Sequence, residues 1–156
     1  MRGFASCWIA LVLVGCGKPA DRPADDTMGD TPPAAAATGA ISLADVAGTW
    51  NVRTMPESGD STIVTYELVV GADGSGWSIN FPDRDPIPAR VLAVEGDSIV
   101  TEAGPFESVL RKGVQVRTHQ VTRLQDGKLM GTTVARYAVS GPDTVRRLRF
   151  EGTRAP

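Results

Sequence analysis

The sequence predicts an all-β fold, an antiparallel up-and-down barrel of about eight strands. Beyond Gly48, apolar and polar residues alternate with a period of two, as in residues 50–54. Turn-forming dipeptides such as Asp126-Gly127 separate these segments at short intervals. No stretch beyond Gly48 has the spacing of a long amphipathic helix. Closing the sheet removes its exposed edges and favours a barrel, with a two-sheet sandwich as the alternative.

Residues 1–15 have the plan of a secretory signal peptide, with one positive charge, Arg2, followed by a mostly apolar run. The run is far shorter than the roughly 20 residues that span a bilayer. It ends in Leu13-Val14-Gly15-Cys16, which resembles the bacterial lipobox. The resemblance implies cleavage before Cys16 and attachment of a diacylglycerol and a third, palmitate-type acyl chain. Two or more acyl chains anchor a protein stably to a membrane.

The lipobox resemblance also implies a location. The residue after the cysteine is Gly17 rather than Asp. In enterobacterial lipoproteins, Asp at this position favours retention at the inner membrane. We therefore expect a lipid-anchored protein of the bacterial cell envelope, on the periplasmic face of the outer membrane rather than at the inner membrane.

Residues 16–41 are predicted to form the lipidated Cys16 and a disordered tether. The segment is rich in proline, alanine and acidic residues and has almost no large apolar side chain. Such a segment cannot bury enough surface to offset the entropy cost of ordering. It serves either as a spacer between membrane and domain or as filler. The folded domain is then residues 42–156.

Charge and cysteine content restrict the function further. The formal net charge is −2 and becomes −3 if Arg2 is removed with the signal peptide. Nucleic-acid binding relies on a basic surface, so no nucleic-acid partner is expected. The two cysteines, Cys7 and Cys16, would be cleaved off and acylated respectively. The domain therefore has no disulfide, and an apolar core must stabilise it.

The elements of the domain follow in order. Ser42 is a predicted N-cap for one short helical turn that ends by Ala47. Strands are predicted over residues 50–54, 64–70, 77–81, 92–94, 98–101, 114–124, 129–139 and 144–151. Asp73-Gly74, Gly96-Asp97 and Asp126-Gly127 are predicted hairpin turns because these residues tolerate a positive φ. Residues 81–88 contain three prolines, which lack backbone donors, and are expected to form an open loop.

Gly48-Thr49-Trp50 resembles the Gly-x-Trp motif that opens the first strand of lipocalins and related calycin barrels. The resemblance implies that Trp50 plugs the closed end of the barrel and that a basic side chain near the last strand packs across it. An arginine over an indole face forms a cation–π pair. The candidates for that arginine are Arg146, Arg147, Arg149 and Arg154.

The leading functional hypothesis is a binding module whose barrel holds a small apolar ligand or a segment of another envelope protein. An eight-stranded barrel has room for packed side chains or for one small ligand. The candidate lining residues are aromatic, threonine or amide side chains on inward faces: Trp50, Tyr66, Trp77, Phe81, Thr118, Gln120 and Tyr137. The alternative is a structural or inhibitor-like interaction module with a packed core and no ligand.

The sequence offers little for catalysis, so we expect neither an enzyme nor a cofactor. His119 is the only histidine, and its neighbours at two-residue spacing indicate a solvent-facing or mixed strand face. A zinc site needs about three or four His, Cys or carboxylate ligands, so no metal site is expected. The remaining candidates are better explained as solvated surface groups: the carboxylate pairs Asp83 and Asp85, and Glu102 and Glu107, and the arginine cluster of Arg146, Arg147 and Arg149.

Overall fold

The computed structural model describes residues 39–156. One short helix, α1 (Leu43–Val46), precedes eight strands. The strands are β1 (Gly48–Pro56), β2 (Val64–Val70), β3 (Ser78–Asn80), β4 (Ile87–Glu95), β5 (Ser98–Glu107), β6 (Gln115–Gln125), β7 (Lys128–Tyr137) and β8 (Val145–Arg154). A single 3₁₀ turn, Pro142–Thr144, lies between β7 and β8.

The strands form a closed up-and-down barrel. Each strand pairs antiparallel with the next one in sequence, and β8 pairs with β1 to close the sheet. The predicted all-β barrel of eight strands is confirmed, and the alternative of a sandwich is wrong. Within residues 39–156, no helix is long and apolar enough to cross a bilayer. The lipobox with Cys16, the signal peptide and most of the predicted tether lie outside the described residues.

Local turn chemistry explains the hairpins at one end of the barrel. Asp126 and Gly127 both have positive φ, 50° and 73°, and connect Gln125 directly to its partner Lys128. A two-residue turn with positive φ at both central positions matches the twist of the flanking strands. Gly96-Asp97 is also a two-residue connection, between Glu95 of β4 and Ser98 of β5, but only Gly96 has a positive φ, 55°.

The proline-rich segment departs partly from the prediction. The open loop ends at residue 86, because Ile87 and Pro88 already belong to β4 and pair with Ile79 and Ser78 of β3. Since β3 has only three residues, Pro88 faces a strand that requires few backbone donors. A proline is tolerated in a strand under this condition.

The closed end of the barrel is filled by Trp50, which is fully buried. Its Nε1 donates a hydrogen bond of 2.8 Å to the carbonyl oxygen of Val46, at the end of α1. Arg154 lies directly opposite Trp50 in the β1–β8 pairing, and its guanidinium carbon is 4.4 Å from the centroid of the Trp50 ring. Arg154 is therefore the one of the four candidate arginines that packs on the indole.

Arg154 also closes the end of α1. Its Nη1 donates to the carbonyl oxygen of Ala47 at 2.6 Å, and its Nη2 donates to that of Asp45 at 3.1 Å. The last carbonyls of a helix have no partner within the helix. The indole and the guanidinium supply these partners, and the predicted short helical turn is held in place across the closed end. Ser42 caps its start through a reciprocal capping box with Asp45.

The opposite end of the barrel carries four of the five long connections, residues 57–63, 81–86, 108–114 and 138–144, and the fifth, residues 71–77, lies at the closed end. We call the end with the four connections the open end. Loop 57–63 is fastened to β8 because Arg149 donates to the carbonyl oxygen of Gly59 at 2.6 Å and forms an ion pair with Asp60. Loop 81–86 is fastened to the end of β5 because Arg84 donates to the carbonyl oxygen of Glu107 at 2.5 Å.

Candidate functional site

A cavity of about 60 Å³ lies inside the open-end half of the barrel. Every side chain that lines it, among residues 39–156, is uncharged at neutral pH. Most of the wall is apolar or aromatic and comes from six strands and from loops 81–86 and 108–114: Val64, Ile79, Phe81, Phe106, Val109, Leu110, Val116, Ala135, Tyr137 and Leu148. The remaining lining residues, Thr54, Tyr66, Ser108, Thr118, Gln120 and Thr133, carry hydroxyl or amide groups.

Four of these polar residues form a belt across the barrel beneath the cavity: Thr54, Tyr66, Gln120 and Thr133. Gln120 Nε2 donates to the Tyr66 hydroxyl at 3.1 Å and to Thr133 Oγ1 at 3.2 Å. Gln120 and Thr133 are direct partners in the β6–β7 pairing. Because all four side chains are buried, these hydrogen bonds avoid the cost of unpaired polar groups in the core.

Tyr66 is held neutral by its surroundings. Burial disfavours the phenolate and raises the pKa of Tyr66 to about 12, and this outweighs the opposing hydrogen bonds with Gln120 and Thr54. The hydroxyl therefore keeps its proton at all physiological pH values. Tyr66 can act as a hydrogen-bond donor in the polar belt, whereas a general base needs a pKa close to the working pH.

Thr118 lies one inward position closer to the open end than Gln120 and lines the cavity. It is 9% exposed, and its hydroxyl oxygen is buried without a hydrogen-bond partner among the described residues. The hydroxyl oxygen of Thr122 is likewise buried without a hydrogen-bond partner among the described residues. Thr122 lies on the closed-end side of Gln120, opposite Gly131 in β7, and is not part of the cavity lining.

Loop 108–114 covers the cavity at the open end. Its start is organised by Ser108, whose Oγ accepts hydrogen bonds of 3.1 Å from the backbone nitrogens of Leu110 and Arg111. Arg111 stacks over the Tyr137 ring, with 4.4 Å between guanidinium carbon and ring centroid. The same guanidinium donates to the carbonyl oxygen of Asp143 at 2.9 Å. Arg111 therefore ties the loop to the end of β7 and to the neighbouring connection.

The seven predicted lining residues separate into two groups. Five of them line the cavity: Tyr66, Phe81, Thr118, Gln120 and Tyr137. Trp50 and Trp77 lie instead in the packed core of the closed half, 0% and 3% exposed, so their predicted place in the lining is corrected. Trp77 Nε1 donates to the carbonyl oxygen of Gly71 at 3.1 Å, at the turn of the closed end. Alternation identifies the inward face of a strand, but it does not give the height along the barrel axis.

Several lining residues were not among the sequence-based candidates. Phe106 follows the Gly104-Pro105 step of β5, and Leu110 lies in loop 108–114. The alternation pattern did not extend to either of them. Thr133 and Leu148, which face each other across β7 and β8, were identifiable as inward residues from alternation, although they are not aromatic.

The only histidine lies outside this site. His119 pairs with Glu102 of β5 and Val134 of β7, and it is partly exposed. Glu102 forms ion pairs with Arg90 at 2.9 Å and Arg117 at 3.0 Å. The hydrogen bond from Arg90 is the main reason that the pKa of the Glu102 carboxyl is below its ordinary value.

The other candidate groups are also on the surface. Asp83 and Asp85 are exposed, and together with Arg84 and Glu107 they border an open depression beside the open end. Arg146 and Arg147 are exposed as well. In residues 39–156, no group of three or more His, Cys, Asp or Glu side chains is arranged to hold a metal ion.

Comparison of the chain with protein-family models, with curated proteins and with solved structures found no significant match. The likeness to lipocalins therefore consists of the Gly-x-Trp motif, the Trp50–Arg154 stack and the closed eight-stranded barrel.

Proposed function

We propose that the protein is a lipid-anchored envelope protein whose barrel binds a small, mainly apolar ligand in the cavity at its open end. The observation that carries the ligand part is the cavity itself. Apolar and aromatic walls combined with a few convergent polar groups are typical of small-molecule sites. Four of the five long connections surround this end, where loops vary without disturbing the barrel.

The size of the cavity limits the ligand. A cavity of about 150 Å³ holds benzene in an engineered protein, and the cavity here is about 60 Å³. A ligand of benzene size or larger therefore requires loop 108–114 to move outward. Leu110 is the main apolar side chain of that loop in the lining, and the Arg111 contacts with Tyr137 and Asp143 must then break.

The ligand part is tested by native mass spectrometry of the purified full-length protein and by displacement of a small, uncharged fluorescent probe. Ala135 lines the cavity and its neighbour Val134 does not. We expect Ala135→Leu to fill the cavity and to weaken probe binding at least tenfold. The control variant Val134→Leu should leave the affinity for the probe unchanged. Equal binding by both variants, with urea unfolding confirming that each is folded, would rule out this cavity as the site.

The anchor part rests on the lipobox resemblance of Leu13-Val14-Gly15-Cys16. Replacing Cys16 by Ser should abolish labelled palmitate incorporation and should move the protein from the membrane fraction to the soluble fraction. Cys7→Ser is the matched control, because Cys7 lies in the predicted signal peptide and should be dispensable for lipidation. Unchanged palmitate incorporation in the Cys16→Ser variant would remove the basis for the proposed anchor and location.

A second candidate function is a structural or inhibitor-like interaction module. The observation that favours it is the dense packing of the closed half, together with the small volume of the cavity near the open end. Two apolar side chains of β4, Leu92 and Val94, are also 45% and 42% exposed. If this function is correct, cross-linking in envelope preparations should capture one specific protein, and Leu92→Ser with Val94→Ser should abolish the capture. Probe binding in the cavity should then be absent.

A further inference from the structure

We infer that the ligand of the barrel is an uncharged molecule that presents one hydroxyl or carbonyl group to the side-chain hydroxyl of Thr118. This inference rests on the proposed ligand-binding function and specifies its ligand class. Thr118 lines the cavity, is 9% exposed, and its Oγ1 has no hydrogen-bond partner within residues 39–156. A buried hydroxyl without a hydrogen-bond partner destabilises a protein. A ligand group that supplies the missing hydrogen bond removes this cost and therefore binds more tightly.

The neighbouring polar groups leave Thr118 as the contact point. Gln120 Nε2 has two hydrogens, and both are used, one by Tyr66 and one by Thr133. These side chains form the belt beneath the cavity, and Thr118 stands above it towards the open end. Because Oγ1 itself is covered in the ligand-free barrel, a polar group that enters from the open end reaches this hydroxyl, which can donate or accept, once the Thr118 side chain or its neighbours shift.

The walls above Thr118 determine the rest of the ligand. Val116 is the next inward residue of β6 towards the open end. The rings of Phe81, Phe106 and Tyr137 complete the largely apolar surroundings. The ligand therefore needs a narrow apolar body behind its polar group. Aromatic walls supply large contact areas at a low cost in side-chain entropy.

Charged ligands are excluded by the absence of a counter-charge in the lining. Every lining side chain within the described part of the chain is neutral at physiological pH. A carboxylate or ammonium group that enters such a site loses its hydration without gaining an ion pair, which is unfavourable. The guanidinium of Arg111, in the loop that covers the cavity, is stacked on Tyr137 and bonded to the Asp143 carbonyl.

The experiment compares three probes of similar size: 1-butanol, pentane and butanoate. Each is titrated into the full-length protein, and binding is followed by NMR chemical-shift changes of the Thr133 and Ala135 methyl groups, which line the cavity and are present in every variant. The variants are Thr118→Val and Thr122→Val. They make the same chemical change at two buried, unpaired hydroxyls, but only Thr118 lies in the cavity. The unfolding midpoint of each ligand-free variant in urea is measured as well.

We expect Thr118→Val to weaken the binding of 1-butanol about tenfold relative to that of pentane, which is the change that the loss of one hydrogen bond of ordinary strength produces. Thr122→Val should leave the ratio of the two affinities as it is in the wild type. Both variants should be at least as stable as the wild type, because each loses an unpaired buried hydroxyl. Butanoate should bind more weakly than either neutral probe.

The outcomes distinguish failure of the proposed Thr118 contact from failure of the proposed ligand-binding function. If Thr118→Val changes the ratio of the 1-butanol and pentane affinities no more than Thr122→Val does, ligand binding stands and the role of Thr118 is wrong. Tightest binding of butanoate would also overturn the inference, in favour of a charged ligand. If no probe binds to the wild type or to either variant, the ligand-binding function itself fails.

Discussion

Replacement of Arg154 by Ala tests how the closed end is held together. The guanidinium stacks on Trp50 with 4.4 Å to the ring centroid and donates to the carbonyls of Ala47 and Asp45. A cation–π pair at an exposed site contributes about 0.5–1 kcal/mol. Each hydrogen bond adds about 0.5–1 kcal/mol when solvent competes for it. We therefore expect Arg154→Ala to lower the free energy of unfolding by about 2 kcal/mol.

The assay is urea unfolding of the full-length protein, followed by far-UV circular dichroism. Arg147→Ala on the same strand is the control, because Arg147 forms no hydrogen bond, ion pair or aromatic stack within the described residues, and its loss should change stability by less than about 0.5 kcal/mol. The loss of stability in Arg154→Lys should lie between those of Arg154→Ala and Arg147→Ala. An ammonium group keeps the charge but lacks the planar guanidinium geometry that reaches both carbonyls. If Arg154→Ala is no more destabilising than Arg147→Ala, the Trp50–Arg154 stack does not stabilise the closed end and the reasoning is refuted.

Three further predictions concern the interior and the surface ion pairs. A methyl group at residue 131 would lie 2.1 Å from the backbone oxygen of Val121 and 2.6 Å from a ring carbon of Phe150, so Gly131→Ala should destabilise the barrel by about 3 kcal/mol in urea unfolding. A loss below about 1 kcal/mol would contradict this close packing. The pKa of Tyr66 is raised to about 12 in the folded state, so the contribution of Tyr66 to stability should be fully present below pH 10 and should fall by about 2 kcal/mol as the pH rises from 10 to 12. Tyr66→Phe should remove this step, and an absorbance titration in which Tyr66 ionises near pH 10 would refute it. Because hydrogen bonding to Arg90 and Arg117 lowers the pKa of Glu102, its contribution to stability should be present above about pH 4.5 and lost as the pH falls below that value. Glu102→Gln should flatten the pH dependence in this range, which urea midpoints measured from pH 3 to 7 will show, and an unchanged slope would contradict the assignment.

The surface ion pairs are expected to contribute little in total. Arg123 pairs with Asp97 at 3.0 Å, and both side chains are more than a third exposed. Exposed pairs of this kind typically contribute between zero and about 1 kcal/mol because water and salt screen them. The stability of the domain therefore depends mainly on the buried core around Trp50 and Phe150 and on the satisfied polar belt above it.

The sequence by itself determined the number and order of the strands, several inward faces and several turns, although it gave only parts of β4 and β5. Side chains alternate along a strand with a period of two, so the pattern around Trp50 and that around Tyr66 each identify one buried face. Asp126-Gly127 specifies its hairpin because both residues accept a positive φ. Short connections make sequential strands neighbours, which leads to an up-and-down sheet. These are local properties, and the sequence contains all the information that they require.

Only the tertiary structure decided which inward residues share one height in the barrel. Closure joins β1 to β8, strands that are about a hundred residues apart, and the register of that pairing places Arg154 opposite Trp50. The stagger of the strands likewise places Trp50 and Trp77 in the packed half, while Thr118 lines the cavity. Alternation cannot reveal such offsets, because shifting a strand by two residues along its partner keeps each side chain on the same face of the sheet and changes the residues that lie opposite it. The lining of the cavity and the unpaired hydroxyl of Thr118 are therefore properties of the closed sheet.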